Sequence, residues 1–92
     1  MGYLLVTYDR TTEAIEAATL LEEAGLAEAV LVPRPRTLTA GCGVALRIPW
    51  TAATRAVGIL LRGARLGSTY VGEPRKGWKP VPLHDLAVES GT

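Results

Sequence analysis

The chain of 92 residues has one cysteine, one histidine, one methionine and no phenylalanine. Each scarcity removes a class of protein. A single cysteine cannot form an internal disulfide. One cysteine and one histidine cannot complete a zinc site within a monomer, so neither a metal nor another cofactor is expected. Long apolar runs are missing too. The run Tyr3–Val6 is short and has no basic region ahead of it, which argues against a signal peptide. Nothing approaches transmembrane length. Met1-Gly2 does not open a myristoylation signal, because Val6 stands where Ser or Thr is required. Net charge is only +1, from ten Lys and Arg against nine Asp and Glu. That balance gives no bulk attraction to nucleic acid or to an anionic membrane. The expectation is a cytoplasmic protein whose thiol stays reduced.

What remains is a small chain rich in Ala, Leu and Val, enough for one core and too little for two. Charge is unevenly spread. Carboxylates concentrate early, at Glu13, Glu16, Glu22 and Glu23, whereas residues 34–65 hold six arginines and no acid. The arginines are either solvated positions or a set facing an anionic ligand or an acidic partner.

The order of elements follows from periodicity. Tyr3–Tyr8 is a compact β-prone run and reads as a buried strand. Thr11 or Thr12 is placed to cap a helix in which Ala14, Ala17, Ala18, Leu21 and Ala24 share one face, with Gly25 at the C′ position. Glu28–Val32 predicts a second strand, halted by Pro33 and Pro35. Gly43–Ile48 predicts a third. Pro49-Trp50-Thr51 then leads into a second helix, capped by Thr51, with Ala53, Ala56, Val57, Leu60 and Ala64 on one face. Gly58 and Gly63 weaken it, Gly67 closes it, and Ser68–Val71 predicts a fourth strand. The β-α-β-β-α-β order is that of an α+β, ferredoxin-like split βαβ domain, with an antiparallel four-stranded sheet and both helices on one face. This domain is expected over residues 1–72. Residues 73–92, rich in Pro, Gly and charge, form a C-terminal extension, with Trp78, Val81, Leu83 and Leu86 suggesting that part of it lies along the body.

Cys42 is the chain's one strong nucleophile, set between Gly41 and Gly43 where a loop enters the third strand. Two readings stand open. Strand parity groups Cys42 with Val44, Leu46 and Ile48, which would make it a small core hydrophobe. Against this, a Gly-Cys-Gly triplet is poor strand material. Backbone N–H groups of Gly41 and Gly43, together with Arg36 and Arg47, would favour the thiolate. His84-Asp85 would supply a hydrolase triad only if the end of the chain reached Cys42. Tyr3, Tyr8, Trp50 and Trp78 are too scattered for a base-stacking platform. Gly41 and Gly43 form no dinucleotide fingerprint, since no helix follows at the required offset.

The segment Pro35-Arg36-Thr37-Leu38-Thr39-Ala40-Gly41-Cys42-Gly43-Val44-Ala45-Leu46-Arg47 resembles the DUF3343 family of Se/S carrier-like proteins. The opening Tyr3–Tyr8 and the helix end Leu20–Leu26 are similar as well, so the likeness spans about residues 3–72. Two positions depart from the family pattern: Thr37 replaces a usual Glu, and the hydroxyls before the cysteine are reduced to Thr39, followed by Ala40 and Gly41. The resemblance implies a carrier in sulfur or selenium metabolism rather than a stand-alone enzyme. In that role Cys42 would hold a persulfide or selenosulfide, with Arg36, Gly41, Gly43 and Arg47 stabilising its terminal anion. Its partners would be a sulfur or selenium donor protein and an acceptor protein, with no nucleic acid and no membrane. The alternative is a ligand-binding or regulatory domain, with a homodimer as one form, in which Cys42 is structural and Arg34, Arg36 and Arg47 hold an anionic metabolite.

Overall fold

The computed structural model describes residues 2–38 and 41–81. Seven elements follow one another: β1 (Tyr3–Thr7), α1 (Thr11–Glu23), β2 (Val30–Pro33), β3 (Val44–Pro49), α2 (Trp50–Arg62), β4 (Ser68–Glu73) and β5 (Gly77–Pro80). They form an α+β structure in which one antiparallel sheet has the strand order β2-β3-β1-β4-β5.

The expected sheet of four strands is corrected to five. β4 runs on to Glu73, a turn follows in which Lys76 N–H donates to Glu73 O (3.0 Å), and β5 returns along β4 with Tyr70 opposite Pro80. The extension therefore starts inside the sheet. Its Pro and Gly content hides the strand, yet both are tolerated because β5 is an edge, where Pro80 forfeits no interior ladder bond. Val81 continues the pairing through its N–H to Thr69 O (3.0 Å). Leu83, His84, Asp85 and Leu86 lie outside the described residues.

Both helices pack on the same face of the sheet. Leu4 and Val6 of β1 and Leu46 and Ile48 of β3 are fully buried there. Ala14, Ala17 and Leu21 of α1 meet them, as do Ala53, Ala56, Val57 and Leu60 of α2. Small alanines let the helices come close, and this compensates for the absence of phenylalanine.

Helix ends differ in detail from the sequence expectation. α1 starts at Thr11, so Arg10 rather than a threonine is the N-cap. The Glu13 carboxylate reaches back to accept the Arg10 N–H (3.1 Å), a bond that ties the first turn to the residue before it. Gly25 follows α1 with φ +89°, and Leu26 N–H donates to Leu21 O (2.9 Å). α2 begins one residue before the expected Thr51 cap, with Pro49 as its N-cap and Gly63, not Gly67, at its C-cap. Gly67 serves another purpose: a Cβ there would collide with the Thr7 carbonyl, so only glycine lets the chain pass the end of β1.

Candidate functional site

The cysteine loop is built onto the end of β1. β3 begins only at Val44, so strand parity does not govern Cys42. Cys42 N–H donates to Tyr8 O (2.7 Å), which pins the loop directly after the first strand. Gly41 makes the approach feasible. Its φ is +97°, and a Cβ at that position would lie 2.9 Å from Tyr8 O. Tyr8 is itself fixed, with its ring in the core and its hydroxyl donating to Arg65 O (2.6 Å). Burial, and then the negative charge of Glu13, push the Tyr8 phenol well above its usual range, against an opposing backbone hydrogen bond at Gly67. The phenol is therefore a neutral structural donor.

A second clamp comes from Arg34, the residue after β2. Its N–H donates to Gly43 O (3.0 Å), extending the β2–β3 ladder by one step. Its guanidinium Nη1 donates to Gly41 O (2.7 Å) and Cys42 O (3.3 Å). Nε of the same group is buried without a hydrogen-bond partner among the described residues. Two carbonyls on one guanidinium hold both sides of the cysteine. The Cys42 side chain is half-buried, stands outside the core cluster, and donates from Sγ to Val44 O (3.3 Å).

The other candidate residues gather on the helix-free face of the sheet. Across the strands, Val30, Arg47, Leu5, Tyr70 and Pro80 stand opposite one another in register and so share that face. The Arg47 guanidinium lies over the Tyr3 ring, 4.8 Å from its centroid. Arg34, Arg36 and Arg47 together line a pocket of about 430 Å³. Leu5, Val32 and Trp78 supply its apolar wall, and Pro33, Pro35 and Pro74 complete the lining, which includes no carboxylate.

Of the sequence-derived site residues, Cys42, Gly41 and Gly43 thus form one loop, while Arg36 and Arg47 belong to the pocket. Arg34 takes part in both. Cys42 is not among the residues lining the pocket. Sequence reasoning does not connect Tyr8 with the cysteine, nor Trp78 with the arginines. The first link depends on a turn conformation, and the second on a strand that composition conceals. Thr39 and Ala40 lie outside the described residues, as does the His84-Asp85 pair. Among the described residues no cluster of His, Cys, Asp and Glu could hold a metal, and no helix is long and apolar enough to cross a membrane.

These features define a small α+β domain with a doubly clamped cysteine loop and a cationic pocket joined by one arginine. Residues 3–65 match the family model described as "Putative Se/S carrier protein-like", and the chain belongs to that family. The match contains the cysteine loop and all three pocket arginines, whereas Pro74 and Trp78 lie beyond it. No curated protein and no solved structure matches the chain.

Proposed function

We propose that the protein carries sulfur or selenium on Cys42, as a persulfide or selenosulfide, between a donor protein and an acceptor protein. The observation that supports this most is the placement of the chain's single thiol: outside the core, on a loop clamped by Tyr8 and Arg34. Membership in a family described as Se/S carrier-like supports it as well. Among the described residues, a Cβ at Gly43 would meet nothing within 4 Å apart from its chain neighbours, which leaves room for a second molecule on that side of the loop.

The transfer balances without an added oxidant or reductant. The Cys42 thiolate attacks the outer sulfur of a donor persulfide. One S–S bond forms on Cys42, the donor's own S–S bond breaks, and the donor leaves as a thiolate that takes up a proton. Selenium follows the same course. Discharge repeats the step, with an acceptor thiolate attacking the terminal atom. Before it can attack, Sγ must turn away from Val44 O, because a thiolate and a carbonyl oxygen repel.

In this reading the N–H groups of Gly41 and Gly43 face the terminal anion, since the Cys42 N–H is committed to Tyr8 O. Arg34 fixes the loop, and Arg36 and Arg47 add positive potential from the pocket. Incubation with a small-molecule persulfide, followed by intact-mass analysis, tests the proposal. Wild type should gain one sulfur atom and Cys42→Ala none, and the loaded protein should return to its starting mass on meeting a thiol acceptor. A wild-type protein that never gains the atom would refute the carrier role.

A further inference from the structure

The pocket on the helix-free face has features that sulfur transfer at Cys42 does not use. At about 430 Å³ it falls within the size range of small-ligand sites. Three arginines line it with no carboxylate, although the chain as a whole is nearly neutral. Among the described residues the ion pairs involve Arg65 with Glu16 and Lys76 with Glu73, so the pocket arginines are paired with no acid there. Arg47 is positioned by the Tyr3 ring and Arg34 by two carbonyls, which reduces the freedom either would lose on meeting a ligand. The opposite wall is apolar, with the half-buried Trp78 offering a flat indole.

We propose that this pocket binds a phosphate monoester with a flat apolar body. Guanidinium forks match phosphate oxygens in pairs, and a dianion answers several cations where a carboxylate answers one. Arg36 and Arg47 take the phosphate with Arg34 beside them, and the body of the ester lies against Trp78 and Val32. Val32 shares the face of Arg47 because Val30, two residues earlier in β2, stands opposite Arg47 in the β2–β3 ladder. The site is independent of the carrier reading, and its binding is measurable with Cys42 replaced.

Calorimetric titration of the full chain with phenyl phosphate, inorganic phosphate and benzoate tests it. Phenyl phosphate should bind about tenfold more tightly than inorganic phosphate, as expected for burying one face of a phenyl ring. It should also exceed benzoate. Arg36→Gln combined with Arg47→Gln should abolish the binding while the thermal melt stays within a few degrees of wild type. Trp78→Ala should bring phenyl phosphate down to the level of inorganic phosphate and leave the latter unchanged. Binding that survives the double arginine variant would overturn the proposal. Equal affinity for phenyl and inorganic phosphate would overturn it too, as would equal affinity for benzoate. Cys42→Ser should bind as wild type does, so a failed carrier assay leaves this result interpretable.

Discussion

On one face of the sheet, Leu4, Val6, Leu46 and Ile48 lie fully buried under two alanine-rich helices. On the other, residues alternating with them in the same strands carry no helix: Arg47 lines a cationic pocket, Tyr3 lies under its guanidinium, and Leu5, opposite Arg47 in register, is fully buried. A single residue's step along a strand separates those that pack under the helices from those on the helix-free face. The contrast is sharpest in β3, where Leu46 and Arg47 are neighbours. It also explains why Cys42 belongs to neither face. The strand starts two residues later, and the loop before it is held by backbone bonds and Arg34 rather than by side-chain packing.

The contrast breaks most visibly at Leu46. Leu46→Ala removes a fully buried side chain from the core cluster to which both helices contribute and should cost about 3 kcal/mol in urea unfolding. Next in size is Arg34→Ala, which frees the carbonyls of Gly41 and Cys42. About 1–2 kcal/mol of stability should be lost, and Cys42 should be alkylated several-fold more slowly as the loop that presents it loosens. Unchanged alkylation would mean that Tyr8 alone holds the loop.

Tyr8→Phe keeps the carbonyl that clamps Cys42 but loosens the residue carrying it, and should cost about 1 kcal/mol at neutral pH for the lost bond to Arg65 O. It also has a pH signature. The folded phenol ionises well above its usual value, so the unfolded chain loses this proton first. The stabilisation is therefore complete below pH about 10 and is lost as pH rises beyond it. Urea midpoints should fall less steeply above pH about 10 in Tyr8→Phe than in wild type. The smallest effect belongs to Arg47→Gln, one residue from Leu46, which should change stability by less than about 0.5 kcal/mol. A loss as large as that of Leu46→Ala would erase the division between the faces.

Much of the covered face is legible in the sequence. Ala14, Ala17 and Leu21, and Ala53, Ala56, Val57 and Leu60, mark two helices by spacing and are buried, whereas Ala64, expected on the same face as the last four, lies beyond the helix end with φ +55° and is exposed. β1 and β3 follow from apolar runs, and family membership follows from residues 35–47 read with both ends of the first βα unit. The open face is less legible. An arginine-rich middle is visible in the chain, but its convergence depends on register, which sets Arg47 opposite both Leu5 and Val30. β5 escapes a sequence reading because Pro74, Gly77 and Pro80 look like a breaker-rich extension, although an edge strand tolerates them. Parity would place Cys42 in the core, but it does not extend past the first residue of a strand, and Cys42 lies outside the core cluster. Tyr8 shows the same limit, since its carbonyl meets the cysteine only through the left-handed turn at Gly41.

The central claim is that the fold presents Cys42 for transfer chemistry and does not merely enclose it. The most direct measurement is the rate at which a small-molecule persulfide loads Cys42 in the native chain, set against the same chain unfolded in urea at equal pH. Native protein loading about tenfold faster than the unfolded chain is the predicted result. An unfolded chain that loads faster than the native protein would contradict the account, because the loop would then shield the thiol instead of presenting it.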